Sequence, residues 1–551
     1  MATLVEAALA VGVVAAALGA AKLITPYVAG VYTGKASRLD RLLGPLERAV
    51  YRVAGVDPER GMGWREYFFA GVLINAFQMA VAFLILVLQG SLPLNPQGFP
   101  GMSWDLAFNT VASFATNTNL QHYSGEAALS YFSQMTAIQF LQFTSAATGI
   151  CMGVAMVRGF VTGAKNLGNF YSDFVRTMTR ILLPLCTVGA VALVALGIPQ
   201  SLGGYEPVTT LTGATQTILV GPVASLVSIM QLGTNGGGYY GANSAYPFQN
   251  PSPVTDLVEI FLMLLLPTAL VFVFGEILGK KREYRPVLIA AYSLFAIDAV
   301  MAVIPAAPLG PGIETRFGGF FSAFWTAVTT AVTTGSVNAS LAGMHPVTIL
   351  SAFMGMLIQA TPGGKGVGLM YMVMFIIITV FVVGLMSGRT PEYLGIKITA
   401  RDVKLVMVAF LVHPVIILVP TLLAFASGAA AQIGVPTNAS GFTQVLYEFT
   451  SSAANNGSDF LGTSANTLFF NVSTALVILI GRFVPIGVLL ALGGSMIGRK
   501  RSPSSGLRTD SLTFSLVLIG SILVLVALTF FPFLALGPIL QYLQGQVNSL
   551  G

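Results

Sequence analysis

Residues 233–238 read GTNGGG, a short polar turn in a chain that is otherwise strongly apolar. Three similar turns occur elsewhere, TNTN at 116–119, TTGSVN at 333–338 and ANNGS at 454–458. Each follows a half-length apolar stretch, at 108–114, 222–232, 320–330 and 442–452. Because the turns recur about every 100 to 120 residues, the sequence predicts a fourfold repeat.

A polar turn behind a half-length helix predicts a segment that enters the membrane and returns, which lipid tolerates only inside protein or beside a water-filled path. Four such turns meeting around one path direct carbonyl oxygens at an ion, as in potassium-selective filters. Glycine permits positive φ, Asn and Thr can brace a turn, and the negative helix ends favour a cation. Ordinary exposed loops are the alternative. The predicted filter residues are Thr116, Asn117, Thr118, Thr234, Asn235, Gly236, Thr333, Thr334, Gly335, Asn455, Asn456 and Gly457.

The composition indicates a membrane protein, because 55% of residues are apolar and only 9% are charged, against about 25% charged in soluble domains. An apolar helix of about 20 residues crosses the hydrocarbon core of a bilayer. Ten crossings are predicted, at 5–28, 68–89, 136–160, 181–200, 255–279, 286–306, 347–388, 403–427, 467–494 and 511–535. The expected fold is an all-α polytopic membrane protein of ten transmembrane helices, with four pseudo-symmetric helix–pore-helix–filter–helix repeats around a central pore.

The domain boundaries follow from these crossings and turns. The first crossing lacks a basic leading segment and carries Glu6, so we expect a retained anchor rather than a cleaved signal. The predicted units are an N-terminal transmembrane helix at 1–30, pore repeats at 66–160, 178–280, 286–388 and 400–498, and a C-terminal transmembrane helix at 509–540.

Positive charge is concentrated in alternate loops. Of 27 Lys and Arg residues, 23 fall in five groups: seven from Lys35 to Arg65, and four each in 158–180, 280–285, 389–404 and 499–508. All five groups lie on one side if the ten crossings are right. By the positive-inside rule, that side is the cytoplasm, which places both termini outside the cell membrane. The net charge of +6 therefore indicates membrane topology rather than nucleic-acid binding.

Cysteine and histidine usage argues against a metalloenzyme. Cys151 and Cys186 lie in or beside apolar spans and lack a paired spacing, which is typical of small buried residues. The three histidines, His122, His345 and His413, are far apart and have no metal-ligand spacing. The residues alone therefore predict a monovalent-cation pore without a resident metal.

Several long segments resemble the potassium-transporting ATPase A chain family, KdpA. They are residues 109–126 around TNTN, residues 233–251 (GTNGGGYYGANSAYPFQNP) and residues 452–466 (SAANNGSDFLGTSAN). The run GRTPEYLG at 388–395 is also typical of that family. The resemblance covers nearly the whole chain.

The resemblance implies a ten-helix member of the potassium-transporter superfamily, similar in outline to Trk and Ktr transporters. It implies a complex with a P-type ATPase subunit (KdpB), a single-span subunit (KdpC) and a small peptide subunit (KdpF). This chain would bind K⁺ from outside and deliver it through an intramembrane tunnel to the subunit that hydrolyses ATP. K⁺ is then the substrate, and no covalent cofactor is expected. In agreement, the sequence has no Asp-Lys-Thr-Gly site, and residues 363–366 fail the P-loop spacing.

Residues 359–368 read QATPGGKGVG, where the family usually carries a Gly-Glu pair and a Phe-Gly-Gly stretch. The glycines and proline predict a break in the helix. We expect Gly363, Gly364 and Lys365 to form a gate in the ion path. Lys365 either plugs the cytoplasmic side or extends to the inner surface.

Arg482 lies near the middle of an apolar span, where a charge usually faces a partner or a cavity. By the resemblance, Arg482 lies below the filter and steers ions toward the tunnel; the alternative is an ion pair or a bond to backbone carbonyls. Asp298 is a candidate partner for Arg482 or Lys365, with helix packing as its alternative. Gln121 follows the first turn and is expected to tune ion entrance, the alternative being an ordinary polar residue at a helix start.

Two other functions compete with the pump subunit. A stand-alone Trk- or Ktr-type potassium channel or symporter explains the four repeats equally well, and a neighbouring gene for a soluble nucleotide-binding regulator would favour it over an ATPase. A membrane enzyme, such as a lipid or prenyl transferase, needs clustered acids or histidines near the surface. The outer loops here carry few of these, and a purely structural scaffold gives no reason for four polar turns.

Overall fold

The computed structural model describes residues 2–35, 40–306, 309–501 and 508–550. Residue 1 of the predicted N-terminal helix, Arg38 of the first basic group, residues 307–308 of the third predicted repeat and residues 502–507 beside the last basic group lie outside this described part. Within it the chain is mostly helical, with two small hairpins. Ten helices in the described ranges are long and apolar enough to cross a membrane, which confirms the predicted number of crossings.

The elements from the N-terminus through the second polar turn are numbered in chain order. The first helices are α1 (Ala2–Thr33) and α2 (Asp40–Ala54). The first polar turn lies among α3 (Trp64–Leu88), α4 (Trp104–Ala115), α5 (Gly125–Ala128), α6 (Tyr131–Ser133) and α7 (Phe140–Gly159). The second lies among α8 (Phe170–Arg176), α9 (Leu183–Ala195), β1 (Glu206–Thr209), β2 (Thr215–Ile218), α10 (Val223–Leu232) and α11 (Pro253–Ile277).

The second half of the chain repeats the order of long helix, short helix, turn and long helix. The third turn lies among α12 (Tyr284–Val303), α13 (Gly318–Ala331), α14 (Pro346–Ile358) and α15 (Val367–Met386), which the hairpin of β3 (Glu392–Tyr393) and β4 (Ile396–Lys397) follows. The fourth lies among α16 (Ala400–Ala426), α17 (Ala429–Gln432), α18 (Ala439–Ala454) and α19 (Leu468–Met496). The chain ends with α20 (Leu512–Leu534) and α21 (Leu540–Leu550).

Irregular helical segments connect several of these elements. Three π-helical segments join α6 to α7, α8 to α9 and α20 to α21, at Gln134–Gln139, Thr177–Leu182 and Ala535–Ile539. Short 3₁₀ segments lie at Gln89–Ser91, Asn243–Ala245, Lys281–Glu283, Leu341–Gly343 and Gly462–Ala465. Both hairpins are antiparallel, with Glu206 opposite Ile218 in the first and Glu392 opposite Lys397 in the second.

The fourth crossing begins earlier than the sequence predicted. It starts at Phe170 rather than near residue 181, and its first turns carry the charged Asp173. This carboxylate accepts hydrogen bonds from both terminal nitrogens of Arg158, at 2.5 and 2.9 Å, and from the Tyr67 hydroxyl at 2.8 Å. Hydropathy along the sequence misses the start of this helix, because its first turns carry charged residues. These charges are tolerated because they are paired inside the protein.

The predicted break in the seventh crossing is confirmed. Helix α14 ends at Ile358, Gln359 takes a left-handed φ of 53°, and α15 begins only at Val367. Only α15 is long enough to be counted as a crossing; α14 is a shorter apolar helix. The intervening segment 359–366 is non-helical and almost entirely buried.

The long helices form an inner group surrounded by an outer one. Most residues of helices α7 and α11 are buried, whereas only 22% of the residues in the apolar windows of α1 and α3 are buried. Exposed apolar side chains on the outer helices, such as Leu73, Val188 and Leu528, form the face that suits lipid. Helix α1 packs on α11, and α19 packs on α16 and α4. The centre of the molecule is therefore built from the elements that flank the four turns.

Arginines of the last basic group form hydrogen bonds with residues in two other basic groups. Arg499 donates to both carboxylate oxygens of Asp402, at 2.7 and 2.8 Å, and Arg501 donates to the carbonyls of Phe160 and Leu394, at 2.6 and 2.9 Å. Three of the predicted basic groups thus lie at the same end of the molecule.

Candidate functional site

The four short helices α4, α10, α13 and α18 end in the same backbone arrangement. The turn that follows each helix contains a left-handed residue: Asn117, Thr234, Thr333 and Asn455, with φ of 70°, 36°, 47° and 53°. The next amide donates to the carbonyl five residues earlier: Thr118 to Ser113 (3.0 Å), Asn235 to Met230 (2.9 Å), Thr334 to Thr329 (2.7 Å) and Asn456 to Ser451 (2.9 Å). This pattern is a Schellman helix end. Four helix C-termini therefore terminate alike, each followed by one of the predicted turns.

Side-chain amides join the four turns to one another. Asn117 Nδ2 donates to the carbonyls of Gly233 and Thr234, at 3.1 and 2.6 Å, which links the first turn to the second. Asn455 Nδ2 donates to the Thr118 hydroxyl at 2.9 Å, which links the fourth turn to the first. Asn456 Nδ2 donates to the carbonyl of Thr329 at 3.0 Å, at the end of α13.

The link between the second and third turns closes the ring of four. The Ser336 hydroxyl donates to Gln231 Oε1 at 3.2 Å, and Gln231 Nε2 donates to the buried carboxylate of Glu259 at 2.7 Å. The residues predicted from four distant stretches of sequence are therefore brought together in one structure. We call it the four-turn ring, made of residues 116–119, 233–238, 333–338 and 455–458.

Glycine is required where the turns meet. Gly335 and Gly457 have φ of 92° and 108°, which side chains rarely adopt. A Cβ atom on Gly335 would lie 2.0 Å from the Asn456 carbonyl oxygen, and one on Gly457 would lie 2.0 Å from the Thr118 carbonyl oxygen. A Cβ on Gly236 would lie within 2.8 Å of both of these oxygens. The backbones of the turns thus approach so closely that only glycine fits, and carbonyl oxygens lie at the contact.

The remaining predicted residues take different places around this contact. The Thr116 hydroxyl bonds to the Thr118 hydroxyl at 2.9 Å, at the end of α4. Asn235 Nδ2 donates to the carbonyl of Gln142 at 3.2 Å and so faces α7. The hydroxyls of Thr234 and Thr334 are buried and have no hydrogen-bond partner among the described residues. Unpaired buried hydroxyls can act as ligands for an ion that has lost its water.

Further buried side chains brace the ring from outside. Asn243 Nδ2 donates to the Gly236 carbonyl at 2.7 Å, Gln142 Nε2 to the Gly237 carbonyl at 2.7 Å, and Trp325 Nε1 to the Ser336 carbonyl at 2.8 Å. Sequence reasoning missed all three, because their partners are set by packing rather than by a local motif. Their type and position beside the turns were the available signal, since a buried Asn, Gln or Trp usually has a hydrogen-bond partner.

A polar cavity of about 70 Å³ lies on one side of the ring. Its lining includes Asn119, Gly236, Gly335, Gly457 and Asp459. Gln121 also lines it and makes two hydrogen bonds to Gly238, accepting from the amide at 2.9 Å and donating to the carbonyl at 3.2 Å. Gln121 therefore lies beside the ring and holds the first turn against the second. We call this cavity the vestibule.

The broken segment 359–366 lies against the third turn. The Gly363 amide donates to the carbonyl of Ala331 at 3.0 Å, and a Cβ on Gly364 would lie 2.1 Å from the Thr333 hydroxyl. A Cβ on Gly366 would lie 2.0 Å from the carbonyl of Gly149 on α7. Glycine therefore lets this segment fill the space between α13 and α7.

Two buried cations lie beside this segment. Lys365 is only 2% exposed, so it does not extend to the surface, and its Nζ has no hydrogen-bond partner among the described residues. Arg482 on α19 is 7% exposed, and its Nη2 lies 3.5 Å from the Ser145 carbonyl. A Cβ on Gly149 would lie 2.8 Å from Arg482 Nη2 and 2.7 Å from the Lys365 carbonyl, which brings the two residues together. Neither forms an ion pair within the described ranges.

Asp298 does not pair with either cation in the described part of the chain. Its carboxylate lies on α12, is buried and has no hydrogen-bond partner among described residues. It lines an apolar cavity of about 280 Å³ with Met354 of α14 and Phe531 of α20. The helix-packing alternative therefore fits its surroundings better than an ion pair does.

A family model described as "Potassium-transporting ATPase A subunit" matches residues 11–543. The chain belongs to this family. Two similar relatives are both named "potassium-transporting ATPase potassium-binding subunit". The one from Alicyclobacillus acidocaldarius is 47% identical to this chain, and the one from Gloeobacter violaceus is 45% identical. Each alignment covers 94% of this chain, and 95% and 94% of the respective relatives. A third, from Caldanaerobacter subterraneus, is 42% identical over 95% of this chain and 96% of its own length.

The fold of this A subunit also resembles a solved transporter. The potassium transporter TrkH from Vibrio parahaemolyticus superposes with a TM-score of 0.52 at 17% identity, over 90% of this chain and 98% of that one. The likeness confirms the expected fold class, an all-α polytopic membrane protein.

Proposed function

We propose that this chain is the potassium-binding, channel-like subunit of a high-affinity, ATP-driven potassium import complex. The four-turn ring is the observation that carries the proposal, because four identical helix ends bring carbonyl oxygens and buried hydroxyls to one place. Helix C-termini carry partial negative charge, which favours a cation between them. The names of the A subunit relatives support potassium as that cation.

The proposed filter consists of the predicted residues of the ring. Thr118, Asn235, Thr334 and Asn456 occupy equivalent positions, each directly after the left-handed residue, where their carbonyl oxygens would replace the hydration shell of K⁺. Thr116, Asn117, Thr234, Thr333 and Asn455 set the helix ends, and Gly236, Gly335 and Gly457 allow the approach of the backbones. Gln121 would fix the mouth through which the ion enters.

Below the ring, the proposed path does not continue straight to the other side. Gly363 and Gly364 place the broken segment against the third turn, and Lys365 and Arg482 add positive charge without a paired carboxylate in the described ranges. Two cations in a low-dielectric region repel a third strongly. We infer that they divert K⁺ into an intramembrane tunnel that leads to an ATPase subunit.

The proposed partners are a P-type ATPase subunit (KdpB), a single-span subunit (KdpC) and a small peptide subunit (KdpF). ATP hydrolysis would belong to the ATPase subunit, while this chain selects and delivers the ion. The end where Arg499 and Arg501 join separate loops would face the cytoplasm, with both termini outside the cell membrane.

The test is potassium uptake at micromolar external K⁺ in cells that lack their own uptake systems. The chain is expressed alone, with its cognate ATPase and small subunits, and with an ATPase subunit whose hydrolysis is disabled. Uptake that requires an active ATPase subunit supports the pump. Uptake by the chain alone contradicts it and supports a stand-alone channel or symporter.

A further inference from the structure

Three ionisable side chains lie next to the four-turn ring on the vestibule side. His122 Nε2 is 3.1 Å from Glu448 Oε1, and both side chains are fully buried. Asp459 follows the fourth turn, lines the vestibule and interacts electrostatically with both His122 and Glu448. The charge that this cluster presents to an approaching ion depends on where its protons lie.

Asn471 determines the position of the first proton. Its amide nitrogen donates to Asp105 Oδ2 at 2.8 Å and to Asn466 Oδ1 at 2.9 Å, which uses both of its hydrogens. Its oxygen, 2.7 Å from His122 Nδ1, is therefore an acceptor. A reversed amide would place oxygen against two other oxygens. The imidazole of His122 thus carries a hydrogen on Nδ1.

The second proton lies between His122 and Glu448. With Nδ1 protonated, a contact of 3.1 Å between Nε2 and Oε1 needs one hydrogen, carried either by the imidazolium or by the carboxylic acid. In both cases the pair has a net charge of zero. The pair therefore does not contribute a net negative charge to the vestibule.

Asp459 is the one acidic residue among the described residues that line the vestibule. Its Oδ1 accepts a hydrogen bond from the Gly462 amide at 3.2 Å, and no basic side chain forms an ion pair with it within the described ranges. Glu126, the other acid near this mouth, accepts from the Gly241 amide at 2.8 Å and does not line the cavity. Burial and the nearby Glu448 raise the pKa of Asp459 to about 8, and a cation bound beside this carboxyl would favour its ionised form.

Asn119 supplies an independent indication of a ligand. Its side chain is fully buried, lines the vestibule, and has no hydrogen-bond partner for either Oδ1 or Nδ2 among the described residues. Leaving such an amide unsatisfied is unfavourable unless water or an ion completes its bonding. A single water needs about 10 to 15 Å³ of such space, so a cavity of about 70 Å³ has room for an ion with part of its water.

We propose that the vestibule holds a second site for a monovalent cation, beside the contact of the three ring glycines, with the Asp459 carboxylate and the Asn119 amide oxygen as ligands. The proposal rests on the proposed function, since the ion held there is the one passed to the ring. A carboxylate and an amide oxygen are hard donors that suit an alkali cation, and the neutral His122–Glu448 pair adds no net positive charge beside them. The site concentrates K⁺ before it loses its remaining water.

The first test compares Asp459→Asn with the unchanged protein in the complete transport complex. We expect the KM for K⁺ to rise about tenfold, in line with local concentration by a charged cleft, with little change in maximal rate. Asp459→Glu keeps the charge and should stay close to the unchanged protein. Asp57→Asn is the matched control, because Asp57 lies in the loop after α2 and does not line the vestibule.

The second test locates the ion with thallium(I) as a probe, using anomalous diffraction of the complete complex. We expect density beside Asp459 and Asn119, separate from density in the ring, and loss of only the outer density in Asp459→Asn. No outer density in the unchanged protein, or an unchanged KM in Asp459→Asn, overturns the proposal. If the proposed function fails instead, potassium uptake by the unchanged complex does not require an active ATPase subunit, so the two failures are distinguishable.

Discussion

Asn455 donates a hydrogen bond from its side-chain amide to the Thr118 hydroxyl at 2.9 Å, across 337 residues of sequence. The same amide donates to the carbonyl of Ile478 on α19 at 3.1 Å. One side chain therefore ties the end of α18 to the first turn and to the long helix that follows. Because Asn455 is also the left-handed residue of its helix end, two effects can be separated by substitution.

Asn455→Gly keeps the left-handed conformation and removes the amide, whereas Asn455→Ala removes the amide and strains the backbone. We expect both variants to lose discrimination between K⁺ and Na⁺. Asn455→Ala should be less stable than Asn455→Gly by about 1 kcal/mol, the cost of left-handed backbone for a residue with a Cβ. Ion-competition uptake and thermal unfolding in detergent measure the two effects. Equal selectivity in all three proteins would show that the cross-link does not shape the ring.

Gly335→Ala should abolish potassium transport, because the added methyl group would lie 2.0 Å from the Asn456 carbonyl oxygen. Gly428→Ala is the matched control. Its φ of 76° is also left-handed, but no atom lies within 4 Å of the added methyl group. Both variants bear a similar backbone strain of about 1 to 2 kcal/mol, and we expect only Gly335→Ala to lose uptake. Similar losses in the two would assign the effect to backbone strain instead.

Lys365→Met should raise stability and increase passive potassium leakage. The substitution removes a buried nitrogen that has no partner among the described residues, and an unsatisfied buried donor costs about 1 to 3 kcal/mol. It also removes one of the two charges proposed to block the direct route. Thermal unfolding and rubidium flux without ATP measure these effects, with the exposed Lys165→Met as control. If the variant shows neither increased leakage nor a change in stability, Lys365 is not part of the gate.

Arg482→Gln should leave the complex assembled while weakening the link between external K⁺ and ATP hydrolysis. The guanidinium lies near the Ser145 carbonyl and the broken segment, where a positive charge would direct the ion sideways. We expect potassium-stimulated ATP hydrolysis to fall about tenfold. A tenfold change corresponds to about 1.4 kcal/mol, which is comparable to the interaction of one charge with an ion at close range. Arg482→Lys retains the charge and should recover most of it. Full stimulation in Arg482→Gln would support a purely structural bond to the carbonyl.

The His122–Glu448 pair predicts a pH-dependent stability. Burial opposes the charge of His122, but the hydrogen bond and the charge of Glu448 raise the pKa of His122 above its ordinary value. A raised pKa in the folded state stabilises the protein at pH below about 6.5, the unfolded value, and this stabilisation is lost as pH rises through the folded pKa. The unfolding temperature should therefore fall with rising pH in this range. His122→Asn and Glu448→Gln should each flatten that dependence, and an unchanged slope in both would locate the titrating group elsewhere.

The sequence predicted the crossings and the turns because both are local signals. Hydropathy alone locates the ten long helices, and the recurring polar residues locate the four turns. The early start at Phe170 was missed, because the pairing of Asp173 with Arg158 depends on two helices meeting in space. The sequence also does not decide whether Lys365 is buried or extends to the inner surface, because its long side chain allows both positions.

The vestibule shows what local sequence cannot supply. The spacing of the three histidines along the chain does not indicate which residues His122 contacts. Its actual partners, Glu448 and Asn471, lie 326 and 349 residues away. Likewise, the sequence does not give the distance from Asp298 to Arg482 or Lys365. The packing of α12 places the Asp298 carboxylate in an apolar cavity instead.

The helix ends of the four-turn ring carry a consequence for protein engineering. Glycine is usually the best residue for a left-handed helix end, yet Asn117 and Asn455 occupy two of these positions and use their amides to bond the adjacent turns. A substitution that improves the end of a single helix therefore weakens the closure of the ring. Libraries that seek altered ion selectivity should keep these two asparagines fixed and vary the residues that brace the ring from outside, such as Asn243 and Gln142, where the helix ends are unaffected.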